Sequence, residues 1–167
     1  HLKRAVLAAE DDGFTQHEGV QWQAIEQARL RNERALERAN DKRPAKLRGG
    51  STVTQQLAKN LLLSGERTLL RKGQELVLAY ALEHLLDKRR ILEIYLNNVE
   101  WGQGVFGAEA AARHYFGTSA KQLSAAQAAR LAVMLPAPKR FEKAPQSAYL
   151  TARARAIQGR MAATQLP

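Results

Sequence analysis

Two four-residue patterns constrain the fold of this 167-residue chain most strongly, because each one marks the first turn of an α-helix. Gln55 follows Thr52 by three residues, and Gln127 follows Ser124 by three residues. In such a capping box, the two side chains satisfy backbone N–H groups that the helix itself leaves without partners. Apolar residues at helical spacing predict further helices at about 22–39, 69–86, 90–97, 108–115 and 149–163.

The stretches between these helices contain no convincing run of alternating apolar and polar residues, so no β-strand is predicted. Gly102, Gly104 and Gly107 predict a glycine-rich turn instead. The chain has no internal repeat, and its length suits one domain, residues 1–167, with a sizeable core. We therefore predict a mainly α-helical single domain.

The distribution of apolar residues predicts which helices are buried. The helix at 69–86 is mostly apolar from Leu76 onward and is expected at the centre of the core. Leu57, Leu61 and Leu62 are expected to form the buried face of the helix that begins near Ser51. The helix at 22–39 is mostly charged and is expected on the surface.

The charge balance predicts an anionic partner. The chain has 26 Lys and Arg residues against 16 Asp and Glu residues, which gives a net charge of +10. Nucleic acid, anionic lipid headgroups and phosphorylated substrates all fit this excess, and charge alone does not choose among them. The absence of cysteine excludes disulfides and thiolate metal sites. No stretch reaches the roughly 18 consecutive apolar residues of a membrane-spanning helix.

The segment from Gly49 to Asn60 is the strongest candidate for an anion site. A glycine pair precedes a hydroxyl-rich helix start, where backbone N–H groups and the helix dipole favour a bound anion. Hydrogen-bond donors and positive charges follow in the residues Ser51, Thr52, Gln55, Gln56, Lys59, Arg67, Arg71 and Lys72. This clustering is what a pyrophosphate site requires. The same residues also fit a capped helix with a solvated basic face.

Two acids are candidates for chemistry. Glu10 follows an apolar run and precedes Asp11 and Asp12, so burial and like charge should both raise the pKa of its carboxyl towards that of a general base. Glu75 lies one turn after Arg71 on the predicted long helix. The alternatives are that Glu10 caps a helix and that Glu75 is a salt-bridged surface residue. The histidines show no spacing typical of a metal site.

Five segments in order resemble the motifs of the peptidoglycan glycosyltransferase family. The first motif, Glu-Asp-x-x-Phe-x-x-His-x-Gly, is matched by Glu10, Asp11, Phe14, His17 and Gly19. The second is similar to residues 49–60, the third to Arg71-Lys72-x-x-Glu75 with Glu83, the fourth to residues 88–97 with Gly102, and the fifth to residues 123–138. Gln127 stands where the family usually has Glu, and it can still close the capping box.

This resemblance implies a lysozyme-like helical fold with a small membrane-facing jaw. It also implies polymerisation of lipid II, a disaccharide-pentapeptide on undecaprenyl pyrophosphate, with inversion at the anomeric carbon. Glu10 would be the general base, and Glu75 would be a second essential carboxylate that assists the leaving group. The donor pyrophosphate and sugar would contact Ser51, Gln55, Gln56, Lys59, Arg67, Arg71 and Lys72, and the substrate-binding set would also include Asp11, Phe14, His17 and Thr52.

The resemblance further implies the setting of the reaction. The domain would face the periplasm at the bacterial inner membrane, with a single-pass anchor upstream of His1. Lipid II and the nascent glycan strand would be its partners, with the membrane surface and cell-division or cell-wall synthesis proteins as further candidates. The resemblance implies no definite cofactor, and a divalent cation (Mg or Mn) is a candidate for assisting Glu75. No nucleic-acid partner is expected.

Two other functions fit parts of the sequence. A lysozyme-like glycan hydrolase would use water as the acceptor and would need an acid of raised pKa for its poor leaving group. The basic cluster argues against it, because glycan contains no pyrophosphate. A non-enzymatic nucleic-acid-binding module would fit the charge, but the sequence shows no recognition-helix or aromatic-stacking pattern.

Overall fold

A computed structural model describes residues 1–39, 49–63 and 68–167 of the chain. These residues form helices α1 (Leu2–Glu10), α2 (Trp22–Glu37), α3 (Val53–Leu62), α4 (Leu69–Leu85), α5 (Lys88–Asn98), α6 (Ala108–Phe116), α7 (Ala125–Met134), α8 (Pro138–Phe141) and α9 (Ala148–Arg160). A short 3-10 helix spans Ala120–Gln122, and two strands, β1 (Glu100–Gly102) and β2 (Val105–Phe106), complete the elements. The mainly helical prediction is confirmed, and the architecture is consistent with the lysozyme-like fold that the resemblance implies.

Both capping boxes form as predicted. At the start of α3, the Thr52 N–H donates to Gln55 Oε1 at 2.9 Å, and the Gln55 N–H donates to Thr52 Oγ1 at 3.1 Å. At the start of α7, Ser124 and Gln127 exchange the same two bonds at 2.9 and 3.3 Å. Gln127 therefore performs the capping role that a Glu at this position would perform.

The core lies where α1 packs on α7 and α7 packs on α9. Leu7, Leu131 and Leu150 are fully buried there, and α5 adds Tyr95. Trp101 of β1 is buried in the same cluster, and its indole N–H donates to the Leu131 carbonyl at 3.1 Å. The short apolar run before Glu10 is thus a core helix.

The prediction that the helix at 69–86 lies at the centre of the core is wrong. The side chains of Leu70 and Leu85 on α4 are 75% and 76% exposed, and Val77 is also exposed. The helix buries Glu75 and Ala79 against its neighbours and leaves its opposite face uncovered by the described residues. Apolar content on all sides of a helix indicates apolar surroundings, but it does not say whether protein supplies them.

The buried face predicted for α3 is also partly wrong. Leu57 is buried as expected, whereas Leu61 and Leu62 are about half exposed at the end of the helix. The surface position predicted for α2 is confirmed, since most of its residues are exposed and only Ala28 is buried. Exposed leucines therefore belong to both α3 and α4, which pack against each other.

The glycine-rich segment after α5 forms an antiparallel hairpin, which was not predicted as strands. Glu100 pairs with Phe106, and Gly102 pairs with Val105. Gly104 has φ +74° in the turn, a conformation that glycine adopts without a steric penalty. A sheet of two such short strands leaves no alternating pattern long enough to detect.

Within the described residues, no helix is both long enough and apolar enough to cross a lipid bilayer.

Candidate active site

Glu10 is the last residue of α1, and the apolar core brings its carboxyl to α3. The side chain is mostly buried, and Gln56 Nε2 donates to its Oε2 at 2.9 Å. Burial raises the pKa of Glu10 above its ordinary value, and the nearby Asp11 charge raises it further, whereas the Gln56 hydrogen bond and the Lys59 charge act against this rise. The raised pKa predicted for Glu10 from the sequence is confirmed, with both expected causes.

Asp11 and His17 connect the loop after α1 to the start of α3. Asp11 is buried, and its Oδ2 accepts the Val53 backbone N–H at 2.9 Å. His17 Nε2 lies 2.9 Å from Asp11 Oδ1, and His17 Nδ1 accepts the Gly19 N–H at 3.1 Å. Because Nδ1 is an acceptor, the hydrogen of the neutral imidazole is on Nε2 and is donated to Asp11. Both side chains are thus bonded to protein groups next to Glu10.

Phe14, Thr52 and Gln55 are buried among protein groups in the same region. Thr52 Oγ1 donates to the Gly19 carbonyl at 2.6 Å, which joins the loop and the helix a second time. The buried Nε2 of Gln55 has no hydrogen-bond partner among the described residues. The assignment of these residues to substrate binding stays a prediction, and in the structure they lie beneath the site.

Glu75 is buried on α4, with only 2% of its surface exposed, and it forms two ion pairs. Arg71 Nη1 lies 3.3 Å from Glu75 Oε2, and Lys72 donates to Glu75 Oε1. Lys72 Nζ also donates to Ser51 Oγ at 3.1 Å, which brings α4 to the start of α3. Two cations against one carboxylate leave an excess positive charge beside Ser51, as an anion site needs.

The surroundings of Glu75 do not fit a divalent cation. Both of its oxygens are taken by Arg71 and Lys72, so a metal ion would have to displace a cation that is already paired. Across the three described ranges, no group of three or more His, Asp or Glu residues is arranged to hold a metal ion. We therefore derive no step through a metal.

Lys59 and Arg67 complete the predicted basic set. Lys59 is exposed on α3, and its charge acts on Glu10. Arg67 lies outside the described residues. The structure thus brings Glu10, Gln56 and Lys59 together, and it joins Glu75 to the same helix through Lys72 and Ser51.

Three residues outside the predicted site connect its parts. Thr54 Oγ1 donates to Glu83 Oε1 at 2.5 Å, and Lys88 Nζ donates to the same oxygen at 2.8 Å. Lys88 Nζ also donates to the His17 carbonyl at 2.5 Å and lies 4.5 Å from the centre of the Phe14 ring. Apart from the Lys88–Glu83 pair, these contacts join residues 29 or more positions apart, so spacing in the sequence carries no signal of them.

Two other features near Glu10 were not predicted. The Tyr95 hydroxyl on α5 donates to Gln56 Oε1 at 2.9 Å. Glu10 also lines a small pocket between α1 and the segment from α7 to α9, together with Phe141, Tyr149 and Arg153. In the sequence, Tyr95 is one residue of a predicted helix, and no local pattern indicates that it lies near Glu10.

This geometry defines a helical enzyme that places a carboxyl of raised pKa next to a cationic site. A family model described as Transglycosylase matches residues 1–162 of the chain. A biosynthetic peptidoglycan transglycosylase of Bordetella pertussis is 57% identical over 166 residues, which cover 99% of this chain and 67% of that protein. The enzyme of the same name from Herminiimonas arsenicoxydans is 56% identical over 167 residues, covering 100% of this chain and 69% of the relative. The chain belongs to the transglycosylase family.

Proposed function

We propose that the protein is a peptidoglycan glycosyltransferase that joins the disaccharides of lipid II into linear glycan chains and releases undecaprenyl pyrophosphate. Family membership and the names of the relatives support peptidoglycan transglycosylation in cell wall synthesis at the cell envelope. The roles of individual residues rest on the site. The observation that carries them is a mostly buried Glu10 of raised pKa that is hydrogen-bonded to α3, while Ser51 at the start of α3 is bonded to the cationic cluster on α4.

Glu10 is the general base of the proposed reaction. Its carboxylate takes the proton of the acceptor 4-hydroxyl, and that oxygen forms a bond to C1 of the donor sugar. The bond from C1 to the pyrophosphate oxygen breaks on the opposite face, so the configuration inverts. A base works best when its pKa lies near the working pH, and burial shifts the pKa of Glu10 in that direction.

The cationic cluster binds the pyrophosphate leaving group. Arg71 and Lys72 are fixed by Glu75, and Ser51 lies within hydrogen-bond distance of Lys72. Pyrophosphate leaves without a protonated acid when cations neutralise its developing charge. Glu75 therefore acts by holding two cations in position, and Lys59 adds an exposed charge on the side of Glu10.

The exposed apolar faces of α3 and α4 support contact with the membrane that holds the lipid-linked substrate. Leu70, Val77 and Leu85 recur along one face of α4, and Leu61 and Leu62 end α3 beside it. Apolar side chains combined with a net charge of +10 suit an anionic bilayer surface. This face is the proposed membrane-facing jaw, and the proposed location is the periplasmic side of the inner membrane with an anchor upstream of His1.

Incubation of the protein with labelled lipid II tests the proposed function. We expect long glycan chains, resolved by gel electrophoresis, together with free undecaprenyl pyrophosphate. Clearing of purified cell wall without polymer formation would favour a hydrolase. Tight DNA binding in moderate salt, with no activity on lipid II, would favour a nucleic-acid-binding module.

A further inference from the structure

A chain of two hydrogen bonds leads from the core to the proposed base. The Tyr95 hydroxyl donates to Gln56 Oε1 at 2.9 Å, and Gln56 Nε2 donates to Glu10 Oε2 at 2.9 Å. The three residues come from α5, α3 and α1, so each helix supplies one member. Tyr95 is only 1% exposed and packs in the main core cluster, which gives its hydroxyl a fixed position.

The direction of both bonds follows from the chemistry of the groups. An ionised carboxylate only accepts hydrogen bonds, so the Gln56 amide must turn its NH2 end towards Glu10. Its oxygen then faces Tyr95, whose hydroxyl must donate. Burial, together with the nearby charges of Glu10 and Asp11, raises the pKa of Tyr95 well above its ordinary value, so the hydroxyl keeps its proton at any working pH.

The chain also distinguishes the two oxygens of Glu10. Oε2 is held by Gln56, whereas Oε1 has no hydrogen-bond partner among the described residues. A base that is held at one oxygen has a defined orientation and keeps the other oxygen for the incoming proton. If the amide were reversed, its oxygen would face the carboxylate and would favour the protonated, inactive form.

We propose that Tyr95 is a positioning residue, whose hydroxyl orients the Gln56 amide so that Glu10 stays ionised and presents Oε1 to the acceptor hydroxyl. This proposal rests on the assignment of Glu10 as the general base. The Tyr95 hydroxyl is hydrogen-bonded to Gln56 and acts on Glu10 through that amide. The proposed role of Tyr95 does not depend on Arg71 and Lys72.

The charged groups around Glu10 shift its pKa in opposite directions, so the hydrogen bond from the Gln56 amide has a large influence on whether Glu10 is ionised. Asp11, next to Glu10 in the chain, favours the protonated form, and Lys59 on α3 favours the ionised form. Arg153 of α9 lines the pocket that Glu10 also lines. Burial favours the protonated form most strongly, and the Gln56 hydrogen bond is the largest effect that opposes it.

Tyr95→Phe tests the proposal, because it removes the hydroxyl and keeps the buried ring. Without its partner the amide is free to turn, so the pKa of Glu10 should rise. The acidic limb of the pH profile of kcat/KM should then move upward by about one pH unit. Below that limb the rate should fall about tenfold, whereas above it kcat should return to within about twofold of the parent, with KM unchanged.

Two further variants separate positioning from loss of packing. Tyr115→Phe is the matched control, since Tyr115 also donates its hydroxyl, to the Trp101 carbonyl at 2.8 Å, and lies outside the proposed site. It should leave the pH profile unchanged. In the background of Gln56→Ala, Tyr95→Phe should cause no further shift of the Glu10 pKa, because the hydrogen-bonded link between the two residues is gone.

A substrate-free measurement separates this proposal from the proposed function. The pKa of Glu10 can be followed by NMR of carboxyl-labelled protein, with its signal assigned by its loss in Glu10→Gln. An upward shift in Tyr95→Phe is expected whether or not Glu10 is the base. An unshifted Glu10 in a folded Tyr95→Phe protein would overturn the positioning role, as would equal loss of activity at every pH. Polymerisation retained by Glu10→Gln would instead overturn the base assignment.

Discussion

Glu10 and Glu75 are both largely buried carboxyls, but the charges in their surroundings differ. Glu10 ends a core helix and receives one amide hydrogen bond next to another acid, so its pKa is raised. Glu75 lies on a helix with one exposed face and is paired with Arg71 and Lys72. The difference supports the proposed division of roles, in which Glu10 takes a proton and Glu75 holds two cations in position.

The supporting structures differ in the same way. The Glu10 region is built on α1, α7 and α9, whose contact faces are fully buried. The Glu75 region is built on α3 and α4, which pack on each other and expose leucines on the far side. The proposed base therefore ends a core helix, and the proposed pyrophosphate site lies on the two helices that expose leucines.

Glu10→Gln should give the largest effect. Removal of the base should lower polymerisation by at least about 100-fold, measured with labelled lipid II. The free energy of unfolding at pH 7 should not fall, because a carboxyl with a raised folded-state pKa loses stability when it ionises and the neutral amide avoids that cost. Glu93→Gln, at an exposed ion pair, is the control. Retained polymerisation by Glu10→Gln would show that Glu10 is not the general base.

Glu75→Gln should lower the stability of the protein, unlike Glu10→Gln, and should lower its activity less. It leaves Arg71 and Lys72 without their shared anion, so the free energy of unfolding should fall by on the order of 2 kcal/mol. This is less than for a fully buried pair because Lys72 is partly exposed. Polymerisation should fall about tenfold or more. Urea unfolding checks the first effect, and unchanged stability would show that the ion pairs do not organise the site.

Replacing Leu70, Val77 and Leu85 together by Ser should sharpen the contrast between the two regions. The variant should bind anionic phospholipid vesicles at least about tenfold more weakly, because it removes apolar surface from the proposed membrane face. Its folding should change little, since these side chains are exposed. Phe106→Ser, at an exposed apolar residue of the hairpin, is the matched control. Equal vesicle binding by variant and parent would place the membrane contact elsewhere.

Lys59→Ala should give the smallest effect. Lys59 is exposed, so stability should stay within about 0.5 kcal/mol of the parent. The value of kcat/KM for lipid II should fall several-fold. The difference between variant and parent should shrink at higher salt, because salt screens the attraction between Lys59 and the anionic substrate. Lys121→Ala removes an exposed charge far along the chain and serves as the control. Equal activity of Lys59→Ala and parent would count against a role of α3 in binding pyrophosphate.

Local patterns predicted most of the helices and the identity of the two acids. The capping boxes at Thr52 and Ser124 depend on residues three apart, so the sequence displays them directly. The raised pKa of Glu10 was also predictable, because an apolar run and an acidic neighbour adjoin it in the chain. By contrast, the links from Tyr95 to Gln56 and from Lys88 to His17 join residues 39 and 71 positions apart, and no local signal marks them.

The sequence by itself thus determined most of the helices and the capping boxes at Thr52 and Ser124, because these depend on neighbours within about one turn. The tertiary structure alone decided which apolar faces are covered. It placed α1 in the core and left the leucines of α4 exposed, although both segments are rich in apolar residues. Burial depends on which helices meet, and this is set by packing over the whole chain. The same packing brings the Tyr95 hydroxyl to Gln56 and so to Glu10.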